Sequence, residues 1–324
     1  MTEKAPSGVI DSFRYAFSSP ARLRTEVFAG MTVALALIPE SIAFSILAGV
    51  DPAVGLFATV IMAITISFTG GRPAMITAAT GAIALVIAPV MRDHSFNYFI
   101  ATVILGGIFQ ILLAVLGIAR LMRFIPRSVM VGFVNALGIL VFSAQLPHLF
   151  NVPWLVYPLV AIGLVIVVGL PRLTTVVPAP LVAIVVLTAM VLAFGWSVPN
   201  VGDMGQLPSS LPGLLLPDVP LTLETFSIIA PYALGMAVVG IMESLMTAKL
   251  VDDITDTHSD KTRESWGQGV ANIVTGFFGG MGGCGMIGQT MINVRESGAR
   301  TRLSTLISGV FLLAVSYAHL RVHE

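Results

Sequence analysis

Long apolar runs alternate with short polar breaks along almost the whole chain. Runs of about 20 apolar residues, the length that crosses roughly 30 Å of hydrocarbon as a helix, or nearly that length, occupy roughly residues 28–49, 52–69, 97–117, 128–147, 153–170, 179–195, 226–247, 265–280 and 302–320. Two further segments, roughly 76–90 and 285–294, are apolar but short. Each comes after a glycine-containing stretch, TGGRP at 69–73 and GGMGGCG at 279–285. The pattern predicts half-helices entered through extended backbone. Such backbone survives at membrane depth only where protein or a cavity satisfies its polar groups. The plainer alternative is glycine-mediated packing or a re-entrant loop without function. The pattern as a whole predicts an all-α polytopic membrane protein of about eleven spans, counting the two short ones.

Composition sharpens this. Hydrophobic residues make up 56% of the chain, charged residues 10%, and the mean hydropathy is +0.93. A soluble domain carries about 25% charged residues, so a water-soluble enzyme, a disordered chain and a nucleic-acid binder are all excluded. Net charge is zero, which implies no bulk electrostatic partner, and a single cysteine, Cys284, leaves no internal disulfide. Residues 1–26 are polar and basic with no early apolar core, so they read as a cytoplasmic segment, not a signal peptide.

The position of the charges orients the chain. With the N-terminus inside and each short segment counted as a crossing, fifteen of the 17 basic residues fall on the inner side. Only Arg92 and Arg321 fall outside. This is the bias of the positive-inside rule. Dropping the first short segment swaps every later loop and destroys it. The expectation is a multi-pass protein of the inner (cell) membrane, its partner the lipid bilayer, with a cytoplasmic N-terminus.

Two acids stand inside apolar runs: Glu40, directly after Pro39, and Glu243. An acid at a helix centre costs on the order of 3 kcal/mol and faces a cavity or a partner by default. No Lys or Arg lies inside a span to pair with either. Glu243 is therefore a candidate proton carrier, with Thr247 four residues on and so on the same helix face, and Gly240 leaving room beside it. A structural hydrogen bond is the alternative role for each acid, and for Glu40 the carbonyl freed by Pro39 favours that alternative further. Phe44 is one turn after Glu40. Gln110, Asn135 and Gln145 read as interhelical hydrogen-bonding residues, whereas Gln289 and Asn293 fall on the second short helix and are site candidates. The positive ends of two half-helices, opened by Ala78, Ala79 and Thr80 and by Gly285, Met286 and Ile287, predict an anion site at mid-membrane without buried cations. No lysine-bearing phosphate loop, HExxH or G-x-S-x-G motif occurs, so neither an ATP engine nor an intramembrane enzyme is indicated.

Two blocks carry a family resemblance. LIPESIAFSILAGVDPAVGLFATVI at 37–61 resembles the first-span signature of the sulfate permease (SulP) family, also called solute carrier family 26. GQGVANIVTGFFGGMGGCGMIGQTMINVRESGARTRLSTLISGVF at 267–311 resembles a second block of that family. The resemblance implies a fold of seven plus seven spans in inverted repeats, with a core and a gate domain, and with the third and tenth spans as half-helices facing each other at the substrate site. It implies a secondary active anion transporter whose core moves as an elevator against the gate. On that basis Glu243 matches the eighth-span acid, Thr247 its hydroxyl neighbour, Thr80 the third-span hydroxyl and Phe44 an aromatic wall. Glu40 falls where many members have glutamine. The expected core comprises 28–117 and 226–294, and the expected gate 128–195 and 302–320. The expected substrates are small anions: a dicarboxylate such as fumarate or succinate, sulfate or bicarbonate. No cofactor is expected beyond a coupling proton, with sodium the alternative ion. A homodimer is a further expectation.

The expected departures from the family pattern are eleven spans instead of fourteen and no STAS domain, in a chain that is either incomplete or has an unfinished repeat, and Ala78-Ala79 stands where Gly-Pro is usual. A nucleobase transporter of the same fold and an uncoupled anion channel are the rival readings. Orientation is testable without a structure. A cysteine introduced at Ser95 should react with an impermeant maleimide in intact cells, and one at Ser18 only after permeabilisation. The reverse pattern would overturn the topology.

Overall fold

The structure is a computed structural model and describes residues 8–117, 127–173, 179–199, 203 and 211–322. It opens with a short helix that the apolar pattern does not predict, α1 (Val9–Phe17), which buries Ser12 and Ala16. Next come α2 (Pro20–Ala48), α3 (Pro52–Thr69), a two-residue strand β1 (Thr77–Ala78), α4 (Gly81–Asp93) and α5 (Phe96–Val115). A middle group holds α6 (Arg127–Gln145), α7 (Val156–Gly169) and α8 (Ala179–Phe194). The remainder is α9 (Leu223–Thr255), α10 (Lys261–Phe277), strand β2 (Cys284–Gly285), α11 (Ile287–Met291) continued by a π turn (Ile292–Glu296), and α12 (Arg302–Val322). α1 packs against α2 and α12.

Local chemistry sets the boundaries. Proline opens α2 and α3 at the first turn, where its missing N–H costs nothing. Gly49 closes α2 in the left-handed region at φ 77°. Thr80 caps α4, its hydroxyl accepting from the Ile83 N–H, and Asp260 caps α10 by accepting from the Arg263 N–H. α2 runs through Pro39 without interruption as a helix.

The order helix, helix, strand, half-helix, helix occurs twice. α5 lies along α9 and α10 of the second set, while α12 lies along α2 and α3 of the first. β1 and β2 pair antiparallel, Thr77 opposite Gly285 and Ala78 opposite Cys284, so the two sets run in opposite senses through the centre. This is the inverted repeat, and it corrects one expectation. The stretch 302–320, expected in the gate, forms α12, which packs on α2 and α3 in the way that α5 packs on α9 and α10. α7 packs on α8, and the middle group touches the rest where α6 meets α4 and α8 meets α2.

Close backbone approach holds α5 to α10. A Cβ on Gly107 would sit 2.6 Å from the Gly269 carbonyl oxygen, and one on Gly269 the same distance from that of Gly107. At one end of the bundle the approach to β1 is tied by polar groups. The buried Glu264 carboxylate accepts the N–H groups of Gly71 and Arg72 at 2.7 and 2.9 Å, and the Arg72 guanidinium bonds Asp252, Thr255 and Thr257.

Two polar expectations are corrected. Asn135 and Gln145 are exposed on α6. Gln110 does bridge helices, accepting from Asn272 of α10 at 2.8 Å. Gly269→Ala should destabilise the fold by about 1–3 kcal/mol through overpacking. This would be read as a lower midpoint of thermal unfolding in detergent, and an unchanged midpoint would mean the contact is loose.

Candidate functional site

The two half-helices begin where the paired strands end, so β1–β2 places their starts side by side. On α2 the helix beyond Pro39 brings Glu40 and Phe44, four residues apart, to one face. Glu40 Oε1 accepts a hydrogen bond from the Gln289 amide of α11. On α9, Glu243 Oε2 accepts from the Cys284 thiol at 3.0 Å. Cys284 Sγ is also 3.2 Å from Thr80 Oγ1. Phe44 rests against the start of α4: a Cβ on Gly81 would meet its ring at 2.9 Å.

These groups surround a cavity of about 490 Å³. Its lining takes Glu40 and Phe44 from α2, Thr80, Gly81 and Ala82 from α4, Glu243 from α9, and Met286, Ile287, Gly288 and Gln289 from α11. Val134, Gly138 and Val141 of α6 complete the wall. The lining among the described residues includes two carboxylates and no Lys or Arg.

The sequence-derived candidates divide accordingly. Glu40, Phe44, Thr80, Glu243, Met286, Ile287 and Gln289 come together around the cavity. Ala79, Gly285 and Thr247 stand behind it. The Ala79 N–H points to Thr59 Oγ1 at 3.3 Å and the Gly285 N–H to Ser244 Oγ at 2.9 Å, so both donors are turned into the protein. The Met286 N–H likewise goes to the Ile76 carbonyl at 2.9 Å. The Thr247 hydroxyl, fully buried, lies 2.9 Å from the Glu243 carbonyl and 3.2 Å from that of Gly285. It braces β2 against α9. Asn293 is also structural: its amide donates to the Ala74 carbonyl and to Ser304 Oγ. The space at Gly240 is filled by the Gln110 amide, 2.6 Å from where a Cβ would stand, and not by the Glu243 carboxyl. α11 is a single α turn followed by a π turn, so it is a weaker dipole than the regular half-helix expected.

Sequence reasoning missed the α6 wall. Its only signal is the spacing of Val134, Gly138 and Val141 along one helical face, which any packed helix shares. It also gave Cys284 no role, because the contacts to Glu243 and Thr80 cross 41 and 204 positions of sequence.

The family model described as the sulfate permease family matches residues 23–158 and 150–323. The chain belongs to the sulfate permease family. A protein of Bacillus subtilis (strain 168) that bears the name of a putative sulfate transporter, YbaR, is 57% identical over 291 residues, covering 90% of this chain and 61% of that relative. The bicarbonate transporter BicA of Picosynechococcus sp. (strain ATCC 27264 / PCC 7002 / PR-6) is 28% identical over 327 residues, covering 90% of this chain and 57% of BicA. The chain thus spans about three-fifths of the length of these curated relatives. Among solved structures, the transmembrane domain of a cyanobacterium BicA superposes with a TM-score of 0.82 at 26% identity, over 94% of this chain and 85% of that one. Murine Solute Carrier 26 family member A9, in its inward-facing state, superposes at 0.80 with 15% identity, over 97% of this chain and 59% of that one. That second likeness establishes the fold alone. The fold class is therefore the all-helical inverted-repeat architecture of sulfate permease family transporters.

Gly81 sets the distance between Phe44 and α4. Gly81→Val should push the ring into the cavity and raise KM for a transported anion about tenfold or more, as displacement at a binding site of this kind does. Uptake kinetics in proteoliposomes check this, and an unchanged KM would remove Phe44 from the site.

Proposed function

We propose that this chain carries a small oxyanion across the inner membrane by proton-coupled symport, with substrate held in the cavity between α2, α4, α9 and α11. The observation that carries the reading is the composition of the cavity wall: the first residues of α4, Gly81 and Ala82, stand beside two carboxylates, and no cationic side chain is present among the described residues there. The N-terminal end of a 13-residue helix carries a positive partial charge that favours an anion. The carboxylates oppose an anion when ionised and stop opposing it when protonated. Loading a proton with the anion therefore removes the repulsion, which makes the two bind together.

The relatives' names point to sulfate and bicarbonate, and the cavity volume also admits a dicarboxylate such as fumarate or succinate. Movement between the two sides is read as an elevator. α6 lines the cavity with Val134, Gly138 and Val141 only. An apolar wall of small residues can slide past the site without breaking hydrogen bonds there. Glu243 is assigned the coupling proton, and Glu40 with Gln289 the far side of the substrate.

The test is uptake of radiolabelled sulfate, bicarbonate and succinate into proteoliposomes, with and without an imposed acid-outside gradient. Stimulation by the gradient should disappear in Glu243→Gln while anion exchange at equal pH persists. Gradient stimulation that survives in Glu243→Gln would sink the proton role. Saturation without any gradient effect in the unaltered chain would favour an uncoupled carrier.

A further inference from the structure

Cys284 lies behind the cavity, fully buried on β2. Its sulfur is 3.0 Å from Glu243 Oε2 and 3.2 Å from Thr80 Oγ1. Glu243 and Thr80 both line the cavity, and Cys284 does not. The three side chains form one hydrogen-bonded chain that begins and ends at the substrate space. It joins the two inverted repeats, Thr80 belonging to the first and Cys284 and Glu243 to the second.

We propose that this chain reverses direction when Glu243 takes up a proton, and that the reversal turns the Thr80 hydroxyl into a donor for the bound anion. The proposal rests on the proton-coupled reading above and adds a hydrogen-bonded link between proton and anion to the loss of charge repulsion. A thiol has one hydrogen, so it donates to one neighbour at a time. An ionised carboxylate only accepts, so with Glu243 charged the thiol hydrogen points to Oε2. The Thr80 hydroxyl hydrogen then points to Sγ. Its oxygen meanwhile faces the Ile83 N–H at 3.5 Å as the cap of α4. In this state Thr80 offers no hydrogen to the cavity.

When a proton binds at Glu243 Oε2, that O–H donates to Sγ. The thiol hydrogen turns to Thr80 Oγ1, and the hydroxyl hydrogen swings into the cavity, where an oxyanion accepts it. One proton is added at the carboxyl. Every other hydrogen stays on its own heavy atom and only reorients, so no bond besides the new O–H is made or broken. Cys284 is a positioning residue in this scheme: it touches neither anion nor solvent.

The other titratable groups on the packed elements leave the chain isolated. Glu40 of α2 faces Glu243 across the cavity and is held by Gln289. α4 carries Arg92 and Asp93, at its far end. α10 carries Lys261, Arg263 and Glu264, in its first turn. α5 carries Tyr98, near its start, and Arg295 and Glu296 lie in the π turn beyond α11. Cys284 is the titratable group in hydrogen-bond contact with the Glu243 carboxyl.

The experiment measures the apparent affinity of the reconstituted full chain for sulfate, with bicarbonate as a second probe, at acid and at alkaline pH. In the unaltered protein, affinity should be higher at acid pH by at least about fivefold, the low end of ordinary coupling. Cys284→Ser keeps a donor and acceptor and should retain this pH dependence. Cys284→Ala should cut this acid-to-alkaline ratio to about half or less, leaving the part that loss of charge repulsion at Glu243 supplies, while transport persists, a change that a merely structural role for the thiol would not produce. Glu243→Gln should bind the anion with acid-like affinity at both pH values, because its amide N–H donates to Sγ in the proton-loaded sense. Thr80→Val, which loses the hydroxyl at nearly constant shape, provides the same test should Cys284→Ala fail to fold. Full pH dependence in Cys284→Ala or Thr80→Val, with its loss in Glu243→Gln, would overturn the relay and leave the proton-coupled reading standing. Full pH dependence in Glu243→Gln would overturn both.

Discussion

Breaking two helices in the middle of a membrane leaves backbone donors and acceptors where there is no water, and each one left unpaired costs about 1–3 kcal/mol or more in hydrocarbon. Much of the rest of the structure answers that constraint. β1 and β2 satisfy each other by pairing. Asn272 of α10 accepts the Gly283 N–H at 2.8 Å and returns a bond to the Gly283 carbonyl at 3.0 Å. Ser244 serves Gly285, Thr59 serves Ala79, and Thr290 serves Ile76. Polar residues that look scattered along α3, α9, α10 and α11 thus converge on two short extended segments. Gly283 must be glycine there, since a Cβ would lie 1.9 Å from the Ala78 carbonyl oxygen.

The same constraint places the site. Because the strands pair side by side, the half-helices start next to one another, and the first residues of α4 open onto one cavity with Glu40 and Glu243. The inverted repeat also puts these two acids in comparable places, each on the first long helix of its set and each reaching the cavity. They are held differently. Glu40 takes a side-chain amide from α11, while Glu243 takes a thiol from the strand itself.

Much of this was legible in the sequence, and the reasons are local. That a short helix follows the break at 69–73 comes from its glycines and proline, though the Thr80 cap and the start at Gly81 came only with the structure. That Glu40 and Glu243 must face a cavity or a partner comes from the cost of charge in an apolar run. Misreadings came where distance in sequence hides contact in space. Gly285 and Ala79 look like free donors at helix starts, but hydroxyls from α9 and α3 already accept from them. Asn135 and Gln145 look like helix-pairing residues, but both are exposed on α6. α12 continues the run of spans after the second half-helix, and only its packing along α2 and α3 joins it to the core.

By itself, the sequence determined the membrane class, the two broken spans and the two acids that need explaining. Each rests on a short-range property: the apolar length of a run, the absence of a side chain at glycine, or the position of a charge relative to the nearest span. The tertiary structure alone decided which donors face the cavity, that α6 lines one side of it, and that Cys284 bridges Thr80 to Glu243. Those facts depend on how two repeats running in opposite senses meet at β1 and β2. Pairing between segments about two hundred residues apart has no counterpart in any local pattern of residues.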